Sequence, residues 1–136
     1  MSDAYSEQKE AARANRTFYE AFERLDFDAM RALWLDDDRI QCVHPGWGAL
    51  AGRAKVHDSW RAIFKNTQSI DFELSDLSVE VVGPLAWATC VERIRSSVSG
   101  EEIEACAVAT NLYLRRDGEW KMLLHHASPI LRQESE

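Results

Sequence analysis

The chain has 136 residues, enough for one domain with a substantial core and no need of metal or disulfide staples. Hydrophobic residues make up 46% of it, and 23 acids against 16 Lys and Arg leave a formal net charge of -7. That balance gives no electrostatic footprint for nucleic acid or for an anionic membrane surface, and turns attention to a small apolar or aromatic partner.

Met1 to Glu10 is polar and acidic, unlike a secretory leader, and no later run approaches the ~18 apolar residues of a membrane span. Ala11, Ala14, Phe18, Phe22 and Leu25 recur at steps of three and four, which predicts an amphipathic helix from about Ser6 to Leu25. Asn15-Arg16-Thr17 fits a glycosylation sequon but falls inside that helix, and is read as chance. Asp26 or Asp28 caps a short second helix with Phe27, Met30, Leu33 and Trp34 turned inward, and Asp36-Asp37-Asp38 ends it.

Ile40 to Val43 reads as a short strand stopped at His44-Pro45-Gly46, Trp47 to Ala51 as a loop, and Gly52 as the entry to a third helix carrying Val56, Trp60, Ile63 and Phe64. From Ile70 the apolar period becomes two, with turns at Gly83-Pro84, Ser99-Gly100 and Arg116-Asp117-Gly118. The expectation is one α+β domain over 1–136, ordered from about 6 to 130: a curled antiparallel sheet wrapped around three N-terminal helices. Cys42, Cys90 and Cys106, each inside an apolar run, read as reduced thiols packed as small hydrophobes, and imply a cytoplasmic setting.

A two-residue loop at Ser99-Gly100 sets Glu92 opposite Ala107 and Ala88 opposite Asn111; a three-residue turn with a bulge at 116–118 sets Ala109 opposite His125. Alternation then gives one face with Ala86, Ala88, Cys90, Glu92, Ala107, Ala109, Asn111, Leu123 and His125. The other face carries Trp87, Val91, Val108, Leu112, Leu114, Trp120, Met122, Leu124 and His126. Small side chains around Glu92, Asn111 and His125 suit a ligand pocket. The bulky face implies a homodimer, since the helices cover only one side. One extra residue in either turn exchanges His125 and His126.

The element order, with Cys42-Val43-His44-Pro45-Gly46-Trp47, Gly52-Arg53, Ser59-Trp60-Arg61-Ala62-Ile63-Phe64, Thr110-Asn111-Leu112, Asp117-Gly118-Glu119-Trp120 and His125-His126-Ala127-Ser128-Pro129, resembles the SnoaL-like branch of the nuclear transport factor 2-like superfamily. The resemblance spans about residues 10 to 129. It implies a cone of curled sheet closed by helices, a pocket inside it, and dimerisation through the outer face. Many branch members carry three successive histidines before Ala-Ser-Pro; here the first is Leu124. Ketosteroid isomerases and SnoaL-type cyclases place a carboxylate before the Pro at the end of the first strand, where this chain has His44, and a helix-one Tyr that aligns with Tyr19. Kinase association domains of the superfamily carry pocket arginines at the positions of Glu92 and Asn111, so a kinase-hub role finds no support here.

Proton transfer next to a carbonyl is the chemistry these residues imply: isomerisation, cyclisation or dehydration without a cofactor. A His of ordinary pKa, about 6.5, is a competent base, which makes His44 a catalytic candidate; the bland alternative is a strand-end residue that steadies its turn. Tyr19 and His125 are donors to a developing oxyanion, and Glu92 is a second acid or base, or else the partner of an arginine such as Arg61. Trp47, Trp60, Cys90, Asn111 and His126 are candidates for substrate contact. No metal is expected, because His125 and His126 point to opposite faces with no further ligand at useful spacing. The competing class is a non-catalytic ligand-binding or dimerisation module.

Overall fold

The computed structural model describes residues 3–131. Helix α1 (Ala4–Glu23) starts where the Asp3 side chain accepts the Ser6 N–H, and stops two residues short of the expected Leu25, which takes a positive φ of 53° and cannot continue the helix. Asp26 caps α2 (Phe27–Leu33) by accepting from Ala29 N–H. Helix α3 (Arg53–Asn66) follows Gly52, whose φ of 96° turns the chain into it.

Strands β1 (Gln41–Val43), β2 (Leu50–Ala51), β3 (Thr67–Val82), β4 (Leu85–Val98), β5 (Glu101–Arg116) and β6 (Glu119–Pro129) form one open sheet in the order β2-β1-β6-β5-β4-β3. The α+β cone expected from the sequence is present, with one correction to the sheet. It is mixed: β1 runs parallel to β6, with Cys42 beside His125, and β2 pairs with β1 where a plain loop was expected. A three-residue strand and a two-residue strand are too short to reveal their pairing by periodicity.

The β4–β5 and β5–β6 hairpins each turn on two residues with positive φ, Ser99-Gly100 and Asp117-Gly118, the type I′ geometry that matches strand twist. The first sets Glu92 opposite Ala107 and Ala88 opposite Asn111, as expected. The second differs. Its two-residue turn pairs Tyr113 with Met122, and a bulge at Leu123 then pairs Asn111, rather than Ala109, with His125. Met122 and Trp120 are therefore buried with the inner set instead of lying on the outer face, while His125 is buried and His126 exposed.

The core lies between the inner sheet face and the helices. Phe18, Phe22, Trp60, Phe64 and Phe72 stack edge-on or tilted at centroid distances of 4.6–6.0 Å, filling the space that the alanines of β4 and β5 leave open.

Candidate functional site

Three rungs of the inner face carry the polar groups. Ala88, Asn111 and His125 form one, Cys90, Ala109 and Ala127 the next, and Glu92 and Ala107 with Pro129 the third. Alanines on either side leave the rungs low, so α1 packs close enough for its own side chains to reach them. Asn15 and Tyr19, one turn apart on α1, do so.

The result is a continuous hydrogen-bonded network. The Tyr19 hydroxyl donates to Glu92 Oε2 at 2.5 Å, and its oxygen accepts from Asn111 Nδ2 at 3.2 Å. Asn111 Nδ2 also donates to Asn15 Oδ1 at 2.9 Å, and the Tyr113 hydroxyl donates to the same oxygen at 2.7 Å. With its N–H groups spent, Asn111 offers only Oδ1 to His125, so His125 Nδ1, 2.6 Å away, carries the proton and Nε2 keeps a lone pair. Cys90 Sγ lies 3.5 Å from the Tyr19 oxygen.

Burial sets the protonation of this network. Glu92 is 2% exposed, and desolvation lifts its carboxyl from 4.5 to about 6, partly opposed by the hydrogen bond from Tyr19. Arg61, the conceivable partner, pairs with Asp58 on the surface instead. Glu92 Oε1 makes no hydrogen bond among the described residues. Burial, then the Glu92 charge, pushes the Tyr19 phenol far above its usual range, so it acts as a donor and never as phenolate. Burial, with His44 and His126 nearby, takes His125 down to about 3.

His44 belongs to a second, smaller cluster. Ser59 Oγ donates to the Val56 carbonyl at 2.6 Å, so it can only accept from His44 Nε2 at 2.9 Å. The His44 ring lies 4.8 Å from Trp47 and from Trp60, and 6.3 Å from His125, centroid to centroid. Desolvation lowers its pKa to about 4, not the ordinary value assumed for a base, so the imidazole is neutral at pH 7 and weakly basic.

Tyr19, Glu92, Asn111, His125 and Cys90 thus meet in one network, with His44 and Trp60 across a ring contact from it. Trp47 is 47% exposed and touches His44 from the loop, and His126 stands on the opposite sheet face. Sequence reasoning missed Asn15, Tyr113 and Ser59. Asn15 carried a signal: it is a polar residue four after Ala11 and three before Phe18 on an apolar helical stripe.

The network is closed. Phe18 and Trp60 pack on His125 at 4.9 and 6.0 Å, and His44, Glu92, Asn111 and His125 are each 3% exposed or less. Asn15 and Tyr19 line a recess of about 290 Å³ between α1 and β3, together with Phe72, Leu74 and Leu77. Among the described residues no group of three or more His, Cys, Asp or Glu converges to hold a metal, and no helix is long and apolar enough to cross a membrane.

Comparison with known proteins gives the chain its relatives. The profile of the SnoaL-like domain matches residues 12–132. A solved structure of a candidate dehydratase of the NTF2-like family from Streptomyces avermitilis is 39% identical, with a TM-score of 0.90 over 96% of this chain and 100% of that one. A candidate calcium/calmodulin-dependent protein kinase type II association domain from Thiobacillus denitrificans is 33% identical, with a TM-score of 0.75 over 86% of this chain and 92% of that one. The F-box protein SKIP8 of Arabidopsis thaliana is 26% identical over 127 residues, which cover 93% of this chain but only 52% of that protein, so the chain spans about half its relative's length.

Proposed function

The chain belongs to the SnoaL-like domain family, and from that membership we propose that it binds a small, largely apolar carbonyl compound and catalyses cofactor-independent proton transfer on it, as an isomerase or dehydratase. One observation carries this reading: a buried carboxyl, lifted to about 6, that takes a 2.5 Å hydrogen bond from a buried tyrosine. A carboxyl of that pKa is mostly ionised at neutral pH yet more basic than an ordinary carboxylate, which suits it to general-base catalysis. The candidate dehydratase at 39% identity supports the same reaction class.

In this mechanism Glu92 Oε1 takes the proton next to the carbonyl, and the C–H electron pair moves to the carbonyl oxygen as an enolate. Once protonated at Oε1, Glu92 is a weaker acceptor at Oε2, the oxygen that faces Tyr19. The Tyr19 hydroxyl is then released to turn its proton onto the enolate oxygen, and Asn111 holds the phenol in place. Return of the proton to another carbon completes an isomerisation; loss of a β-hydroxyl, which takes that proton and leaves as water, completes a dehydration. His44 and His125, both neutral, shape the apolar side of the site. Substrate approaches Tyr19 from the recess between α1 and β3, where Phe72 packs on it at 5.1 Å; Glu92 does not line that recess, so α1 must shift from the sheet for substrate to meet Oε1.

The test is deuterium incorporation at carbons next to the carbonyl, across a panel of cyclic and β-hydroxy ketones in D2O. The expected result is exchange at least ~100-fold faster with the native chain than with Glu92→Gln or Tyr19→Phe. Equal rates in all three proteins would end the reading.

A second reading, an assembly module, has its own support. Trp87, Leu112 and Leu124 share one outer rung and Val91 and Val108 the next but one, a surface suited to a second copy of the chain, and one relative is a candidate association domain. A homodimer is compatible with either reading. Cys42 and Cys90, buried as thiols, fit a reducing, cytoplasmic compartment.

A further inference from the structure

A larger recess, about 520 Å³, lies between α2, the start of α3 and the β5–β6 turn, and the proton-transfer chemistry makes no use of it. Its volume is that of a small-molecule site, within roughly 300–1,000 Å³. Arg53 on its wall is spent on Asp36 and Asp38 at 2.7 and 2.9 Å, and Lys121 is shared with Glu119 at 3.2 Å. Arg31 and Arg116 also line the recess and form no ion pair among the described residues.

The wall carries a second and independent signal. Trp34 is 3% exposed, and its buried indole N–H has no acceptor among the described residues; nor has His57 Nδ1, on the ring packed edge-on against Trp34, a partner among them. The fold sets two exposed guanidinium groups and a buried indole N–H around one cavity. An oxyanion answers all three, since guanidinium forks match carboxylate and phosphate oxygens in pairs. Asp28 and Asp117 line the same recess and form no ion pair among the described residues. They disfavour a bare anion and suit a ligand that also donates hydrogen bonds.

We infer that this recess binds a small organic anion bearing hydroxyl or amino groups, with its carboxylate or phosphate held by Arg31 and Arg116 and accepting from Trp34. The site is independent of the inner-face network, so it stands or falls apart from the proton-transfer reading.

The experiment follows the indole N–H resonance of Trp34 in the full chain, identified by its loss in Trp34→Phe, during titration with inorganic phosphate, glycerol phosphate and glycerate. Glycerol phosphate or glycerate is expected to move that resonance saturably and more tightly than inorganic phosphate, and the tighter of the two tells phosphate from carboxylate. Arg31→Ala combined with Arg116→Ala, both exposed side chains whose loss leaves the fold intact, is expected to weaken binding ~100-fold, about tenfold for each charged hydrogen-bond donor. No movement with any of the three compounds, or movement that survives in the double variant, would overturn the assignment.

Discussion

Strands β4, β5 and β6 carry two different surfaces on one backbone. Inside, the three residues of the rung Ala88–Asn111–His125 are each 1% exposed or less, and Asn111 serves Asn15, Tyr19 and His125 at once. Outside, the neighbouring rung Thr89–Thr110–His126 is open, and the next carries Trp87, Leu112 and Leu124. A polar group inside must find a protein partner, because no water replaces one that is lost. The same group outside is satisfied by solvent. Substitutions one residue apart should therefore differ in kind, and acid should find the inner set first.

The largest contrast is in pH dependence. His44 and His125 have folded pKa values of about 4 and about 3, below the ordinary 6.5 of an unfolded imidazole. Their contribution is complete above 6.5 and is lost as pH falls toward 4 and then 3, because the unfolded chain takes up the protons first. Glu92 has the opposite sign: its folded value, about 6, lies above 4.5, so its contribution is complete below 4.5 and is lost as pH rises through 6. Two imidazoles that move further than one carboxyl win, so stability falls by several kcal/mol, at ~1.4 kcal/mol per pH unit for each histidine, between pH 6.5 and 4. Urea unfolding across that range checks it. His125→Gln should flatten the profile.

Asn111→Leu is next in size. It strands partners on α1 and β6 together, at an expected cost of about 3 kcal/mol or more, whereas Thr110→Val beside it should stay within about 0.5 kcal/mol. The urea midpoints of the two variants give the comparison directly. Equal losses would mean that the inner network is satisfied by water.

Glu92→Gln separates stability from function. It removes a buried charge while keeping an oxygen for Tyr19, so at pH 8 it should stabilise the fold by about 1–2 kcal/mol while abolishing ketone exchange. Smallest for the fold is Val108→Glu, at a position 46% exposed: it should leave the urea midpoint of dilute protein nearly unchanged and convert a dimer to a monomer in analytical ultracentrifugation. A native chain that sediments as a monomer would remove the reason for the apolar outer face.

These two faces were largely legible in the sequence, because alternation and type I′ turn residues determine which side chains share a surface. The β4–β5 register followed from Ser99-Gly100 alone. The β5–β6 register did not: the turn has two residues where three were expected, which put Trp120 and Met122 inside, and the Leu123 bulge that keeps His125 inside leaves no mark in an unbroken Met122-Leu123-Leu124 run. Elsewhere the mark existed: apolar positions in β3 pass from Phe72 and Leu74 to Leu77 and Val79 across an irregularity between Ser75 and Ser78, where Asp76 has φ 54°. His44, Tyr19, Glu92 and His125 could be named as candidates, and a raised pKa for a buried Glu92 could be expected, but the lowered values of His44 and His125 could not. Desolvation depends on what α1 and Trp60 lay over them, and that is a property of the packing and not of spacing along the chain.

The most direct test of the account is the titration of Glu92 itself, by carboxyl-carbon NMR of chain labelled at glutamate, with the resonance identified by its loss in Glu92→Gln. The account predicts a midpoint near 6, moving higher in Tyr19→Phe as the donor that favours the carboxylate is lost. A midpoint at the ordinary 4.5, unmoved by Tyr19→Phe, would contradict it.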